Sequence, residues 1–359
     1  MSSMPRLGAY VHGVALQTGW ADATASLTDM IFRAVSSAVE ASRAPMARID
    51  SVVLAAHDLV DGRSLSSMVT APAAGAYLRD EIRLAEDGLA ALSLASARIE
   101  AGESEFAIVA AWGRASEGDL SQTSRAQFDP FLVQPFGLDE YSISAFRMSA
   151  WASRYGEAVD MRRAAIEVRA ERARRNPRAV AALHRPRLNP PLLPDEAPRL
   201  ADIAVAAVIG REPGAVRIAG VGHSAESGMF GARDLLAWRA LTQAVCQARG
   251  GVALGDIDIF QVAGTTLVDE AVALEAIGLA PPGGGFSTYA GTEGVNPSGG
   301  GEGGWCFPAG GLVNFVEAYL QLAGQAGEIQ ATGAPRRALA TGLSPMGGQI
   351  AHAVMLVAA

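Results

Sequence analysis

The clearest hydrophobic pattern of the chain lies in its first third. Residues 89–100 are nearly all Ala, Leu, Ser and Ile, and charge occurs only at Arg98 and Glu100. A helix that is apolar on every side is one that is buried on every side, so this stretch predicts a buried helix. The continuous apolar run 106–111 is typical of a strand covered on both faces. A turn at residues 86–88 is predicted to precede the helix.

The remaining apolar periodicity predicts a mixed α/β protein. Runs of strand length alternate with stretches of helical spacing, an order typical of an α/β core. Two α/β halves of similar size and order are what an internally duplicated fold would give, although the residues themselves do not establish a duplication. Strands are predicted at 7–16, 49–55, 200–209, 216–221 and 257–262, and helices at 27–42, 142–176 and 234–248.

Shifts in composition suggest three regions. Residues 1–116 are predicted to form the first part of the N-terminal half. Residues 117–141 are polar and show no regular periodicity, and residues 184–198 are rich in Pro. These two stretches predict a loop or cap region over 117–198. Residues 199–359 are predicted to form the C-terminal half.

Overall composition narrows the class of protein. Half of the 359 residues are hydrophobic and 18% are charged, which predicts a large buried core. A net charge of −8 argues against nucleic acid or an anionic membrane surface as partner. The only two cysteines fit a reducing cytosol. No apolar run has membrane-spanning length and no signal peptide is evident, so a cytoplasmic protein without a metal site is expected.

The stretch 88–117 resembles the helix and strand that follow the nucleophile in the thiolase superfamily, most closely its sterol-carrier or lipid-transfer branch. The resemblance implies a five-layer α-β-α-β-α fold. In that family a Cys occupies the turn before the helix, because the N-terminal end of a helix stabilises a thiolate. Here the turn reads Ala85-Glu86-Asp87-Gly88, and the family's Cys falls on Ala85. Glu86 and Asp87 are expected to cap the helix.

Three further stretches resemble thiolase motifs, and each lacks its reactive group. Residues 296–300 match the family's Asn-Pro-Ser-Gly-Gly. The His of the following Gly-His-Pro motif falls on Phe307. The His-Asp-Xaa-Phe motif falls on 263–266, which contains no His, and the Cys of the C-terminal Cys-Xaa-Gly falls near Gly342. Because Claisen chemistry requires a thiol and a base, the resemblance excludes a conventional thiolase reaction.

Three residues remain as candidate catalytic groups. Cys306 is the only thiol near the presumed site, although a free Cys is more often a small buried hydrophobe. His223 follows a predicted strand end and is a candidate for the cleft, with a structural role as the simpler explanation. Tyr289 is a candidate phenolic acid, or a packed loop residue. The resemblance also points to Ser224, Gly299, Gly300 and Arg175 as residues that bind substrate or CoA. Arginines at 162–175 suit either a CoA phosphate or a solvated helix face.

The leading functional hypothesis is a thiolase-like subunit that lacks the thiolase reaction and belongs to a complex acting on acyl-CoA thioesters in lipid metabolism. Its partner would be a thiolase-like chain, in a homo- or heterodimer, or a small zinc-ribbon and OB-fold acyl-CoA-binding subunit. The resemblance implies a dimer contact at 57–75. The alternatives are a retro-aldolase that cleaves a β-hydroxyacyl-CoA without a Cys nucleophile, and an acyl-CoA carrier. A CoA thioester is the expected ligand, with no bound cofactor.

Overall fold

A computed structural model of the protein describes residues 8–22, 24–62 and 67–359. Leu7 of the first predicted strand, and residues 63–66 of the predicted dimer contact, lie outside this part of the chain. The strands are β1 (Ala9–Gly19), β2 (Ile49–Ala55), β3 (Asp80–Leu84), β4 (Phe106–Arg114), β5 (Asp202–Gly210), β6 (Val216–Ala225), β7 (Ile259–Gln261), β8 (Arg337–Leu343) and β9 (Ile350–Ala358).

The described residues also form twelve α-helices. They are α1 (Leu27–Ser42), α2 (Asp58–Asp61), α3 (Ser67–Ala73), α4 (Gly88–Glu100), α5 (Leu120–Gln127), α6 (Glu140–Tyr155), α7 (Val159–Arg175), α8 (Arg239–Arg249), α9 (Leu267–Ala276), α10 (Gly285–Gly291), α11 (Gly310–Leu322) and α12 (Pro345–Gly348). No helix in the described ranges is both long enough and apolar enough to cross a membrane.

Local sequence explains where the predicted elements begin and end. Helix α1 has the predicted bounds because Ser26 and Asp29 form a capping box and Arg43 adopts a left-handed conformation after its last turn. The buried helix and its strand are α4 and β4, as predicted. The segment 117–141 contains the short helix α5, which starts where Asp119 accepts hydrogen bonds from the amides of Ser121 and Gln122, and the loop or cap region over 117–198 stays a prediction.

All nine strands of the described residues form one sheet, in the order β3-β2-β4-β5-β1-β6-β9-β8-β7. Strands β1 and β6 pair over only three residues, Ala9 to Val11 on β1, and this short pairing joins two parts of the sheet. Strand β5, which the sequence assigned to the C-terminal half, pairs between β4 and β1. The boundary at residue 199 stays a prediction.

The two parts of the sheet face each other across a central helical layer made of α4 and α11. One core contains Leu92 of α4 and Phe315 of α11 together with Val109 and Val354 from the two parts of the sheet. Separate cores lie on the outer faces, one under α1 and the other under α8 and α9. The layers therefore alternate as α-β-α-β-α, which confirms the predicted fold class.

Candidate functional site

The N-terminal ends of α4 and α11 meet beside a cavity of about 80 Å³. The amide of Gly88, at the start of α4, donates a hydrogen bond of 2.9 Å to the carbonyl of Pro308, just before α11. Parts of all the stretches that resemble thiolase motifs line this cavity, together with residues of α5 and α6. They are Asp87, Ala263–Thr265, Ser298, Gly300, Phe307 and Ser344. The fold thus brings the motif positions together in one site.

Asp87 lies in the wall of this cavity and is almost completely buried, with 2% of its surface exposed. Its two carboxylate oxygens accept hydrogen bonds of 2.9 Å from the amides of Leu89 and Gly311, which are first-turn donors of α4 and α11. Burial raises the pKa of Asp87 to about 6, although these hydrogen bonds and the nearby His352 oppose the rise. Asp87 caps α4 as expected, and it also has a carboxyl group that can gain or lose a proton near neutral pH.

Two glycines make room for this carboxyl group. A Cβ atom on Gly311 or Gly342 would lie 1.9 or 2.1 Å from Oδ1 of Asp87, closer than any packed atoms can approach. Gly342 is the position near which the resemblance placed the family's C-terminal Cys. The carboxyl group of Asp87 therefore occupies space beside that position. The sequence held one signal of this role, namely an acidic residue at the start of a helix that is otherwise buried on every side.

Tyr141 of α6 supplies a second polar group that the sequence did not reveal. Its side chain lines the cavity and is 4% exposed, and its hydroxyl has no hydrogen-bond partner among the described residues. Burial raises the pKa of Tyr141 well above its ordinary value. The hydroxyl is therefore neutral, and it can donate a hydrogen bond to an acceptor atom of a ligand in the cavity.

The other charged groups of the cavity wall are compensated. Arg147 forms an ion pair with Asp269, and its Nη2 atom donates a hydrogen bond of 3.1 Å to the carbonyl of Gly347. Ser144 Oγ donates a bond of 2.6 Å to Asp269 Oδ2. Arg178 pairs with Glu317 at 2.6 Å. These contacts hold the wall in place. Asp87, by contrast, accepts hydrogen bonds from backbone amides and has no arginine partner at hydrogen-bond distance within the described residues.

Cys306 lines the cavity but is unsuited to act as a thiolate. The thiol is fully buried and donates a weak hydrogen bond of 3.4 Å to the carbonyl of Phe307. Burial raises the pKa of Cys306 far above its ordinary value, so the thiol stays protonated at neutral pH. The nucleophile is the thiolate form.

Tyr289 lies apart from the cavity. It is fully buried in α10, and the guanidinium of Arg172 stands 5.5 Å from its ring centre. Of the two predicted binding glycines, Gly300 lines the cavity, whereas Gly299 packs against Ala173 of α7. Both have positive φ angles, 91° and 53° for Gly299 and Gly300, which explains why this motif needs glycine there.

Asn296 of the same motif has a structural role. Its side-chain amide donates to Glu270 Oε2 at 3.1 Å, and its carbonyl oxygen accepts a bond of 2.7 Å from the amide of Val262. Glu270 also receives Arg169 and the amide of Gly301, each at 2.9 Å. The buried carboxylate therefore ties α7 and α9 to the Gly-rich segment.

The predicted CoA-binding arginines have other partners. Arg175 donates a bond of 2.6 Å to the carbonyl of Glu328, and Arg162 pairs with the buried Glu196 at 2.7 Å. Ser224 donates a bond of 2.6 Å to Gln243 on the outer surface. None of these three residues lines the cavity. Arg162 is buried and needs such a partner, whereas Arg175 is exposed.

His223 lies inside β6 rather than after a strand end, because β6 continues to pair with β9 as far as Ala225. Its Nδ1 atom is 3.2 Å from Nδ1 of His352 on β9. Burial and the neighbouring imidazole lower the pKa of His223. In the described residues no group of three or more His, Cys, Asp and Glu side chains is arranged to hold a metal ion.

Comparisons with known proteins agree with this architecture. Residues 222–359 match the family model described as "Thiolase C-terminal domain-like". The chain also resembles a solved structure titled "Ltp2-ChsH2(DUF35) aldolase", with a TM-score of 0.81 and 16% sequence identity over 99% of both chains. None of the curated protein sequences matches the chain significantly. The structural likeness confirms the predicted thiolase-like fold, and residues 222–359 are similar to the C-terminal domain of thiolases.

Proposed function

We propose that this protein is a thiolase-fold C–C lyase that cleaves a β-hydroxyacyl-CoA thioester by a retro-aldol reaction. The observation that carries the proposal is Asp87. It is a buried carboxyl group in the cavity wall with a pKa of about 6. Groups with such shifted pKa values in a cleft are typical acid–base catalysts. The reaction does not need a thiolate nucleophile, which this cavity lacks among its described residues.

The proposed reaction uses two groups of the cavity. The Asp87 carboxylate takes the proton of the β-hydroxyl, the bond between the α- and β-carbons breaks, and the β-carbon leaves as an aldehyde or ketone. The electron pair forms the thioester enolate, whose oxygen accepts a hydrogen bond from Tyr141. The α-carbon then takes a proton that enters the cavity from solvent, and Asp87 releases the hydroxyl proton to solvent when the products leave, so each turnover exchanges one proton for another. Once protonated, Asp87 carries no charge beside the enolate, which removes the repulsion that a permanent carboxylate would cause.

A partner subunit is part of this proposal. The structural relative is titled as an aldolase of two named components, Ltp2 and ChsH2(DUF35). We expect a small acyl-CoA-binding subunit with a zinc ribbon and an OB-fold to deliver the thioester to the cavity. The arginines near the cavity are already paired, so CoA phosphates would need cationic groups from elsewhere.

A second thiolase-like chain is expected at the β3 edge of the sheet. Within the described part of the chain strand β3 has no neighbour on its outer side, and Tyr77 and Leu78 just before it are 75% and 87% exposed. An unpaired edge beside exposed apolar side chains is typical of an interface. Leu78→Asp should reduce the mass of the assembly in light scattering, whereas Leu183→Asp, at an exposed leucine elsewhere, should not.

The test of the proposed function is cleavage by the purified chain, with and without the candidate partner. We expect a β-hydroxyacyl-CoA to give a shorter acyl-CoA and a carbonyl compound, at a rate that rises as the pH passes about 6 and Asp87 ionises. Asp87→Asn should lower kcat by about 10² to 10⁴. Asp29→Asn, at the exposed cap of α1, is the matched control and should leave kcat unchanged.

A non-catalytic acyl-CoA-binding subunit is the second candidate, because the Cys306 thiol is protonated and Phe307 replaces the family's His. Binding of β-hydroxyacyl-CoA without cleavage, by the chain alone and by the reconstituted complex, would select this candidate. Equal cleavage by the parent chain and Asp87→Asn would also rule out the lyase mechanism given above.

A further inference from the structure

A row of positions crosses the sheet from its surface to the cavity. His223 of β6 lies opposite His352 of β9, and His352 lies opposite Gly342 of β8. Side chains at paired positions project from the same face of a sheet. His352 alternates in step with Val354, whose side chain lies in the central core. Both imidazoles therefore face the layer that contains the start of α4.

The gap left by Gly342 brings this row to the turn that precedes α4. Because Gly342 has no side chain, the Asp87 carboxyl lies directly over it. The neighbouring Glu86 places Oε2 3.8 Å from Nε2 of His352, and the same oxygen accepts a hydrogen bond from Ser344 Oγ. Ser344 lines the cavity. A series of neighbouring polar side chains thus extends through the structure from His223 to the cavity wall.

The two ends of this series of side chains differ in their access to solvent. His223 is exposed, whereas His352 is 2% exposed and Ser344 is 4% exposed. The Nε2 atom of His352 has no hydrogen-bond partner within the described residues. A small shift toward Glu86, or a single bridging water, would complete the connection. The charged or titratable groups facing His352 are His223 from β6 and Glu86 and Asp87 from the turn before α4.

We propose that His223, His352, Glu86 and Ser344 form a proton relay between solvent and the cavity. Each group takes one proton and releases another. His223 accepts a solvent proton at Nε2 and gives its Nδ1 proton to His352 Nδ1, and His352 gives its Nε2 proton to Glu86. Once Glu86 is protonated, the Ser344 hydroxyl turns toward the cavity, accepts the proton from Glu86 and releases its own hydroxyl proton into the cavity. The reverse sequence removes a proton.

The relay rests on the proposed lyase function, in which it has a defined task. In each turnover the α-carbon takes the proton that Ser344 releases, while the hydroxyl proton held by Asp87 leaves to solvent with the products. Burial and His352 lower the pKa of His223. Burial opposes ionisation of Glu86, but the adjacent His352 and Ser344 hold its pKa below the ordinary value.

The kinetic test compares His223→Ala and His352→Gln with the parent chain in the cleavage assay. We expect kcat to fall by about 10² in each variant with KM unchanged, and exogenous imidazole to restore His223→Ala because that site is exposed. Arg217→Ala, at an exposed position of the same strand β6, is the matched control with unchanged kcat. An unchanged kcat in folded His352→Gln would overturn the relay.

A test that needs no turnover is nitrogen NMR of the two imidazoles. The relay requires His352 to carry its proton on Nε2, toward Glu86, and His223 to carry its proton on Nδ1. Glu86→Gln should change the titration of His223, which it does not touch. Independent titration of the two histidines would overturn the relay even if Asp87→Asn abolishes cleavage. If instead Asp87→Asn has no effect on cleavage, the lyase mechanism fails and the NMR result alone decides the hydrogen-bonded chain.

Discussion

The buried acids that pair with arginines of α6 and α7 and the buried Asp87 in the turn before α4 are held in different ways. Asp269, Glu270 and Glu196 each pair with an arginine that is itself buried. Asp87 accepts bonds only from backbone amides, and burial raises its pKa to about 6. A paired carboxylate keeps one charge state and fixes the structure, whereas amide donors alone leave the charge state open to pH. The difference separates structural acids from a candidate catalytic acid.

Breaking a paired acid should give the largest loss of stability. Arg169→Met leaves Glu270 buried without its guanidinium partner, although Asn296 and Gly301 still donate to it. We expect the free energy of unfolding to fall by about 3 to 5 kcal/mol, measured by urea denaturation. Arg174→Met, which removes an exposed pair with Glu171, is the control and should change it by less than about 1 kcal/mol. Equal losses would contradict the structural role of the buried pair.

Removing the charge of Asp87 should stabilise the protein at neutral pH, whereas breaking a paired acid should destabilise it. Its pKa is raised from 3.8 to about 6 on folding, so between these values the folded state binds more protons than the unfolded state. Stability is therefore lost as the pH rises, by about 3 kcal/mol in total. Asp87→Asn should lack this loss and be more stable than the parent chain above pH 6. Denaturation of both proteins from pH 4 to 8 measures it, and parallel curves would refute it.

The space around Asp87 should tolerate no side chain. A Cβ at Gly342 would lie 2.1 Å from the Asp87 carboxyl, so Gly342→Ala should cost about 1 to 3 kcal/mol and displace the acid. Gly118→Ala, where a Cβ meets nothing, is the control. The double variant Gly342→Ala with Asp87→Ala should recover part of the loss. Strictly additive effects would show that the two positions do not touch.

Tyr141→Phe should have the smallest effect on stability. The hydroxyl has no partner among the described residues, so its removal should leave the free energy of unfolding unchanged or raise it by about 1 kcal/mol. Cleavage should nevertheless slow, because the proposed enolate oxygen loses its donor. A thermal melt beside the cleavage assay tests both. Clear destabilisation would mean that the hydroxyl bonds to a group in the protein rather than to a ligand.

The hydrophobic pattern predicted most of the core, and the site only in part. The bounds of α1, α4 and β2 follow from local periodicity and capping residues, which short stretches of sequence encode. The role of Asp87 does not follow from local sequence. The space that its buried carboxyl group occupies depends on Gly311 and Gly342, which lie more than 200 positions away. Nor did the arginines of α7 reveal their partners, since a buried ion pair and a solvated face share the same spacing.

The central layer has a consequence for how the protein can be divided. Helix α4, with Asp87, comes from the first third of the chain, whereas α11 and Gly342 come from the last. A fragment beginning at Gly222 would carry the second group of residues without the acid, and a fragment ending before Gly222 would carry the acid without its cradle. Neither piece can hold the complete candidate site, so any split or circularly permuted form that keeps this site must let the two pieces associate.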